Sequence, residues 1–423
     1  MEKTVSGARV HKPTPASTWL LVLCWLVYTC SLLGKVNYSA NITQVEDFFG
    51  VTHQSAGLVT SFYFFAYGAG QIVNGLLCKK YNIKWMVFGS LIVAGGANLA
   101  VGITDNFEII KYLWLVNGIA LSVLWPTLIR LLSETTSRKK MARASVGMGT
   151  TTATGTLIIY GLSSLYAEIA NFRYAFYTAA LVLPTVAIIW LCSYGKITRG
   201  AKAEAEKEDA EDDIPVRPAE TVKTKGKIEG SVLTWIVLLA VIAVATNLLK
   251  DSLTTWVPAI LKETYGFPDS LSILVTLVLP LISVFGNIIA VTVHKKIPDY
   301  IGSSGLFFLV CGLMILAIIG SISVGLVVIT VFAFAIVSCA ASCSNSTITS
   351  IFPLYMKGKV NSGMIAGVLN GFCYVGSTIS SYGIGVVADA YGWTAVFWLL
   401  FGVAAFVVAL SVGYFLIKKL IKK

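Results

Sequence analysis

Hydrophobic runs of about twenty residues, separated by short polar segments, follow one another along nearly the whole chain. A run of that length crosses the ~30 Å hydrocarbon core of a bilayer as an α-helix, because each residue adds about 1.5 Å. The strands of a membrane barrel would instead alternate apolar and polar residues over about ten positions. The pattern therefore predicts an all-α membrane protein with twelve transmembrane helices, at residues 18–42, 55–77, 85–104, 109–132, 145–169, 174–194, 231–261, 271–293, 303–321, 325–352, 362–387 and 394–416.

Composition supports this class and limits the partners. Of the 423 residues, 56% are hydrophobic and 13% are charged, which excludes an ordinary soluble domain. The net charge of +11 could indicate a nucleic-acid partner, but the basic residues cluster in alternate short loops, as membrane topology requires. We therefore expect a lipid bilayer and no nucleic acid, with both termini cytoplasmic and the chain in the cell (inner) membrane. The clusters lie at Lys79–Lys84, Arg138–Arg143, Lys196–Lys202, His294–Lys296, Lys357–Lys359 and Lys418–Lys423.

One long polar connection divides the chain into two halves of six helices. Residues 196–230 contain a run of glutamates and aspartates, two prolines and scattered lysines, a composition that cannot bury a core. We expect a cytoplasmic linker there that is disordered apart from a helical part at 201–210. The bundles then cover residues 18–195 and 231–418, with cytoplasmic tails at 1–17 and 419–423. Paired six-helix halves around a midplane site are typical of secondary transporters.

Two lysines interrupt the hydrophobic runs at matched depth, one in each half. Lys35 lies in the first span and Lys250 in the seventh. A charged side chain at the bilayer centre costs at least ~2.5 kcal/mol, so each ammonium needs a polar cavity or a partner. We interpret the pair as the two sides of one cavity that holds an anion. The structural alternatives are that each lysine pairs with a fixed acid, or that its side chain extends to the outer interface.

Asp251 follows Lys250 directly, about 100° around the helix. It could be a proton-coupling carboxylate, or a local counter-ion that keeps Lys250 charged when the cavity is empty. Asn37 is expected to share the helix face of Lys35. Small residues at 147, 151 and 155 in the fifth span and at 363, 367 and 371 in the eleventh favour a close interface that slides during transport.

The chain lacks the constellations that enzymes use. Its three histidines fall in the tail or in loops, and it has no phosphate-binding glycine loop, zincin motif or histidine–cysteine cluster. Seven of the eight cysteines lie inside spans, which does not support a disulfide framework. We predict that the protein is not an enzyme and needs no cofactor or metal.

Several segments resemble the organophosphate:phosphate antiporters of the major facilitator superfamily. The resemblance covers nearly the whole chain and implies the major facilitator fold with alternating access. From the in-span lysines, from polar and aromatic side chains that could line the cavity, and from the two family positions at Gln71 and Thr151, we expect a substrate site at Lys35, Asn37, Tyr38, Tyr67, Gln71, Trp125, Thr151, Lys250, Asn345, Asn370 and Tyr374. The matching segments are Leu33-Gly34-Lys35-Val36-Asn37-Tyr38, Ala66-Tyr67-Gly68, Asn74-Gly75, Asn117-Gly118, Trp125-Pro126, Asn247-Leu248-Leu249-Lys250, Trp256-Val257-Pro258, and Gly385 to Trp393 with Asp389.

The chain departs from that family in residues that would touch the substrate. Lys35 and Lys250 stand where the antiporters carry arginines. Gln71 replaces a lysine, and Thr151 is aligned with a pocket histidine. Arginine binds a phosphoryl group through two parallel hydrogen bonds, whereas lysine is a point charge. The substitutions retain attraction for an anion and make a carboxylate at least as good a candidate as a phosphate ester.

The sequence thus predicts a secondary transporter that moves a small organic anion, a phosphate ester or a carboxylate, by alternating access and as an anion exchanger. We expect the protein to be a monomer. Proton-coupled symport through Asp251 is the alternative mechanism. A membrane sensor that binds its ligand without transporting it is the alternative from another class.

Overall fold

The computed structural model describes residues 15–77, 81–211, 230–355 and 362–421, and these contain helices and no strand. The predicted linker beyond residue 211, most of the N-terminal tail, and the basic residues Lys79, Lys80, Lys357, Lys359, Lys422 and Lys423 lie outside the described residues. The helices are α1 Ala16–Leu33, α2 Asn37–Ala40, α3 Ile42–Phe49, α4 His53–Leu77, α5 Ile83–Ile103, α6 Phe107–Ser122, α7 Leu124–Thr135, α8 Arg138–Ile169, α9 Arg173–Glu211, α10 Gly230–Tyr265, α11 Asp269–Thr276, α12 Val278–Ser283, α13 Gly286–Lys296, α14 Tyr300–Val324, α15 Val327–Ser346, α16 Phe352–Tyr355 and α17 Ser362–Ile421, with a π-helical turn at Thr347–Ile351.

These helices account for the twelve predicted spans. Ten helical stretches in the described residues are long and apolar enough to cross a membrane. The last of them is two helices, because Gly392 has a left-handed φ of 76° inside α17. The more polar α8 occupies the place of the fifth span and packs along α1. The all-helical fold is confirmed, and the first, fourth, eighth and tenth spans are each built from more than one helical piece.

The two halves pack against each other at two places. α4 packs along α17, and α8 packs against α11 and α12. The face of the fifth span that carries the small residues does not lie at this interface. A Cβ on Gly155 would lie 2.5 Å from the carbonyl oxygen of Thr29 in α1. That part of the sliding-interface prediction is wrong, because the small residues of α8 serve a close crossing within the first half. In the eleventh span, a Cβ on Gly371 would lie 2.8 Å from Ile72 of α4, so this glycine does face the other half.

Helix α9 extends beyond the predicted end of the sixth span to Glu211, so residues 196–211 of the predicted linker are helical. Its extension is fixed to the start of α8, where Lys140 contacts both Glu204 and Glu208. Burial alone would lower the pKa of Lys140, but the hydrogen bonds to these two glutamates raise it above its ordinary value. Ser17, at the start of α1, donates to Glu204 at 2.9 Å. We call this side, where α1 begins, the proximal side, and the opposite side the distal side.

The first span is broken at Lys35. Helix α1 ends at Leu33, and residues 34–36 form a turn before α2 begins at Asn37. Exposed backbone groups are costly in a membrane unless other parts of the protein satisfy them. Here the carbonyl oxygen of Gly34 accepts hydrogen bonds from the side-chain amides of Asn117 at 2.7 Å and Asn98 at 3.3 Å. Asn98 also accepts from Asn37 at 2.8 Å, so three fully buried amides hold the turn that presents Lys35.

On the distal side, the Gly385–Trp393 segment forms a contact between the two halves. The carboxylate of Asp389 accepts from the backbone N–H groups of His53 at 3.1 Å and Gln54 at 2.8 Å. An acid at the start of α4 satisfies free N–H groups and interacts favourably with the helix dipole. Gly385 makes the approach possible, since a Cβ there would lie 2.6 Å from the carbonyl oxygen of His53.

His53 adds a charged contact to the same interface. Its Nδ1 lies 3.0 Å from Glu46 of its own half, and its Nε2 lies 3.0 Å from Glu263 of the other half. Both ring nitrogens can donate only when the imidazole is protonated, so the arrangement favours the charged ring. Burial raises the pKa of Glu46, and the hydrogen bond with His53 opposes that shift. Trp393 completes the cluster by donating to Glu263 at 2.9 Å.

Further contacts join the halves on the distal side. Lys262 of α10 contacts Asp47 of the first half, and Asp269 accepts from Thr43 at 2.8 Å. We call these residues, together with His53, Glu46, Glu263 and Asp389, the distal seal. All ion pairs between the halves in the described residues belong to this seal. The structure is therefore closed on its distal side.

Adding one methyl group at Gly385 is expected to loosen the distal seal. In Gly385→Ala the new Cβ overlaps backbone atoms of His53, which no rotamer change can relieve, so α4 and α17 must separate. Hydrogen–deuterium exchange of the peptides around residues 53–61 and 378–389 should become faster than in the unmodified protein. Gly367→Ala in the same helix is the matched control, because a Cβ there has no atom within 4 Å. Equal exchange in the two variants would contradict the prediction.

Removing the central amide of the Gly34 turn is expected to destabilise the protein. Asn98→Ala leaves the Asn37 amide without its acceptor and the Gly34 carbonyl with one donor, at a cost of about 1–3 kcal/mol. The apparent melting temperature of the purified protein should fall. Asn74→Ala is the control: it removes a 3.0 Å bond to Ser122, whose hydroxyl keeps its 2.7 Å bond to Ile119. An Asn98→Ala protein as stable as Asn74→Ala would contradict the role given to the network.

Candidate anion site between the two halves

The turn at residues 34–36 carries Lys35 to the interface between the halves. Its ammonium nitrogen lies 4.0 Å from the centre of the Tyr67 ring and 6.0 Å from that of Tyr63. The ring of Tyr374, which belongs to α17 in the other half, lies 5.9 Å away. A cation is attracted to the face of an aromatic ring at such distances, more strongly where water is excluded. The rings therefore give the ammonium a favourable environment without neutralising its charge.

The three tyrosines belong to a larger aromatic cluster. Tyr67 stacks on Tyr63 with ring centres 5.5 Å apart and contacts Tyr374 across the interface at 5.0 Å. The hydroxyl of Tyr28 lies 3.4 Å from that of Tyr67, and its ring packs 4.8 Å from Trp125. The Tyr63 hydroxyl is buried and has no hydrogen-bond partner among the described residues. The cluster thus offers hydroxyl groups beside Lys35, one of them unused.

Lys250 and Asp251 approach the same region from α10. The Asp251 carboxylate accepts a hydrogen bond from Ser377 of α17, and it lies within electrostatic range of both Lys250 and Lys35. Lys250 and Asp251 also act electrostatically on the thiol of Cys373, one turn before Ser377. Asp251 therefore interacts electrostatically with one lysine of each half.

Neither lysine forms a dedicated ion pair. In the described part of the chain, no carboxylate oxygen lies within 4.0 Å of the ammonium of Lys35 or Lys250. Both side chains are partly buried rather than fully exposed. This arrangement does not fit the alternative in which each lysine is paired with a fixed acid.

The remaining predicted residues fall into two groups. Gln71 accepts from Asn370 across the halves at 2.6 Å, one turn beyond Tyr67, and Asn345 accepts from the Cys373 thiol at 3.4 Å. Gln71 and Asn370 therefore meet across the interface between the halves, and Asn345 contacts α17 within the second half. In contrast Asn37, Tyr38 and Thr151 are fully buried within the first half.

The buried residues have structural contacts of their own. Asn37 bonds to Asn98, as described above. Tyr38 donates to the backbone oxygen of Ala56 at 3.1 Å and packs on Trp114. Thr151 donates to the backbone oxygen of Met148 in its own helix. Their contacts support the helices around Lys35.

Sequence reasoning missed several residues that the structure brings to the site. Tyr28 and Ser377 carry no local signal, because single hydroxyls are common between membrane helices. Asn98 and Asn117 were detectable in principle, since each is a lone amide in a hydrophobic run. Their common partner, the Gly34 carbonyl, is a backbone atom that no sequence pattern reveals.

Comparison with solved structures supports the architecture. A bacterial homologue of the human lysosomal transporter Spinster, in an inward-facing and unoccupied conformation, superposes with a TM-score of 0.73. It is 13% identical in sequence, and the match covers 95% of this chain and 94% of that one. At this identity the similarity concerns the fold alone.

Relatives with sequences similar to this chain include a transport protein and a membrane sensor. A probable hexose phosphate transport protein of Chlamydia muridarum is 20% identical over 372 residues, 82% of this chain and 80% of the relative. The membrane sensor protein UhpC of Salmonella typhimurium is 23% identical over 119 residues, 28% of this chain and 27% of the relative. These matches confirm the resemblance to the organophosphate:phosphate antiporter family.

The family model described as Major Facilitator Superfamily matches residues 24–365, which is most of the chain. The matched range runs from α1 to the start of α17. The protein belongs to the Major Facilitator Superfamily and is a multi-pass membrane transporter.

Proposed function

We propose that the protein carries a small organic anion across the membrane by alternating access, with Lys35 and Lys250 binding the negative group. The observation that supports this most directly is the placement of Lys35. Its ammonium lies between rings of both halves and has no carboxylate within 4.0 Å in the described residues. Such a charge in the middle of a membrane is costly unless it binds something.

An anion between the lysines would link substrate binding to movement of the halves. Lys35 and Tyr67 belong to the first half, while Lys250 and Tyr374 belong to the second. A guest that contacts both lysines stabilises the closed arrangement of the site, because it neutralises charge on each side of the interface. The aromatic and amide side chains, including Gln71, Trp125, Asn345 and Asn370, would select the rest of the molecule.

The distal seal supports the alternating-access part of the proposal. With both termini in the cytoplasm, as the loop charges predict, the closed distal side faces outward and the site is reached from the cytoplasm. Transport would require the seal to separate while the proximal ends of the halves approach each other. We place the protein in the cell membrane as a monomer, since each copy contains both halves of the site.

Obligatory exchange is the mechanism that the charges favour. An empty site keeps two ammonium groups with one carboxylate, and the surplus positive charge opposes closure. An anion on either side removes that obstacle, so the carrier reorients when it is loaded. Proton-coupled symport is the alternative, in which protonation of Asp251 accompanies the anion.

A sensor that binds an anion without transporting it is the candidate from another class. The similarity to a protein named as a membrane sensor supports it, although that match covers 28% of this chain. The two functions differ in one measurable respect, because a sensor would bind the anion and produce no flux.

Removing either lysine is expected to abolish anion binding. Anions that bind the purified protein should raise its apparent melting temperature, because ligand at 100 times its Kd adds about 2.7 kcal/mol to stability. The increase should disappear in Lys35→Gln and in Lys250→Gln. Lys295→Gln is the matched control, since Lys295 is exposed at the end of α13 and far from the interface. Unchanged ligand-induced stabilisation in both central variants would disprove the assigned role.

Flux into liposomes is expected to require anion on the opposite side. Vesicles loaded with the same anion should take up labelled anion, and empty vesicles should not, because the unloaded site resists reorientation. Uptake into empty vesicles driven by a proton gradient alone would establish symport instead. Saturable binding with no flux in either condition would favour the sensor. Vesicles carrying the Lys250→Gln variant provide the background.

A further inference from the structure

The central site contains three charged groups and no others from the described residues. Lys35, Lys250 and Asp251 are the charged side chains in the middle of the spans. Arg130, the next basic residue within a span, is close to the proximal end of α7 and bonds to Glu134 at 2.7 Å. The charged residues of the distal seal lie at the far end, where their carboxylates contact His53, Lys262 and backbone N–H groups. Two ammonium groups and one carboxylate leave the site with a net charge of +1.

Asp251 supplies the one negative charge of the central site. Its carboxylate accepts from Ser377, whose hydroxyl also accepts from Asn247 at 3.2 Å, so the side chain is fixed against α17. It acts electrostatically on both lysines and lies beyond 4.0 Å from each ammonium. An incoming anion can therefore contact the ammonium groups without first breaking an ion pair with Asp251.

Charge balance then discriminates between anions. A group with one negative charge makes the loaded site neutral. A dianion leaves one surplus negative charge in a medium where an uncompensated charge is costly. The same dianion is accepted without that cost only if a proton enters the site with it. Lysine imposes no requirement for the bidentate geometry that arginine offers to phosphate.

We propose that this transporter selects monoanions, such as carboxylates, over dianionic phosphate esters, and that Asp251 sets this selectivity. The inference rests on the proposed function, because it assumes that the two lysines bind the anion. Tyr63, whose ring centre lies 6.0 Å from the Lys35 ammonium, has a buried hydroxyl without a partner in the described residues, which would be available to a bound group.

The test compares D-gluconate with D-glucose 6-phosphate, two polyhydroxylated six-carbon anions that differ in charge. At pH 7.5 the first carries one negative charge, and the second is almost fully dianionic since its second pKa is about 6. Titration calorimetry of the full-length protein should give gluconate an affinity at least about tenfold higher, which corresponds to 1.4 kcal/mol. Repeating the titrations in buffers of different ionisation enthalpy should reveal uptake of about one proton with the phosphate ester and none with gluconate.

Asp251→Asn is the decisive variant. It keeps an oxygen for Ser377 and raises the net charge of the site to +2, so the dianion becomes the ligand that leaves the site neutral. The preference should reverse, and the phosphate ester should bind without proton uptake. Glu108→Gln is the control, because it removes an acid of the same charge from an exposed ion pair with Lys111. Its preference should equal that of the unmodified protein.

The outcomes separate this inference from the proposed function. A phosphate ester that binds the unmodified protein more tightly than gluconate, with no proton uptake, would overturn the charge-balance inference and leave anion transport intact. The same holds if Asp251→Asn folds and keeps the original preference. If the variant does not fold, the proton counts of the unmodified protein decide. Binding of both probes that survives Lys35→Gln and Lys250→Gln would overturn the proposed function itself.

Discussion

The structure depends on keeping ammonium groups charged in the middle of a membrane. Each must have a polar environment, and yet a fixed partner would occupy the site that an anion needs. The protein meets both demands with aromatic faces for Lys35 and a carboxylate shared at longer range between both lysines. Ring faces and distant charge lower the energy of the ammonium without using its hydrogen-bond donors. The vacant site is thereby tolerated and remains able to bind.

The first half of the molecule provides a rigid support for this arrangement. The backbone at Lys35 leaves the helix, and three buried amides hold the turn, so the point from which the lysine projects is fixed. The second half contributes Tyr374, Asp251 and Lys250 from α10 and α17, two helices that pack closely along each other. The proposed ligand site thus lies where the two bundles meet, so a movement of one bundle against the other would change its geometry.

Hydrophobic run length predicted the helices because it is a local property. Lys35 and Lys250 stood out for the same reason, since each interrupts an uncharged run, and their role in binding an anion stays a prediction. The break at Gly34 was not predictable, since it is stabilised by Asn98 and Asn117 from other helices. His53 was treated as a loop residue, because its partners Glu263 and Asp389 are more than two hundred positions away along the chain. The small residues of the fifth span show the opposite error. Their spacing correctly indicated a close helix crossing, but spacing alone does not identify which helix is crossed.

The Asp389 contact has a consequence for the speed and shape of the transport cycle. One carboxylate accepts from two successive N–H groups at a helix end, and the neighbouring backbones are in van der Waals contact through a glycine. Such a junction cannot lengthen gradually, because a small displacement removes both hydrogen bonds and exposes the helix end together. Separation of the halves on that side should therefore be cooperative, with two well-populated arrangements and few intermediates. A leak pathway open to both sides at once would then be rare.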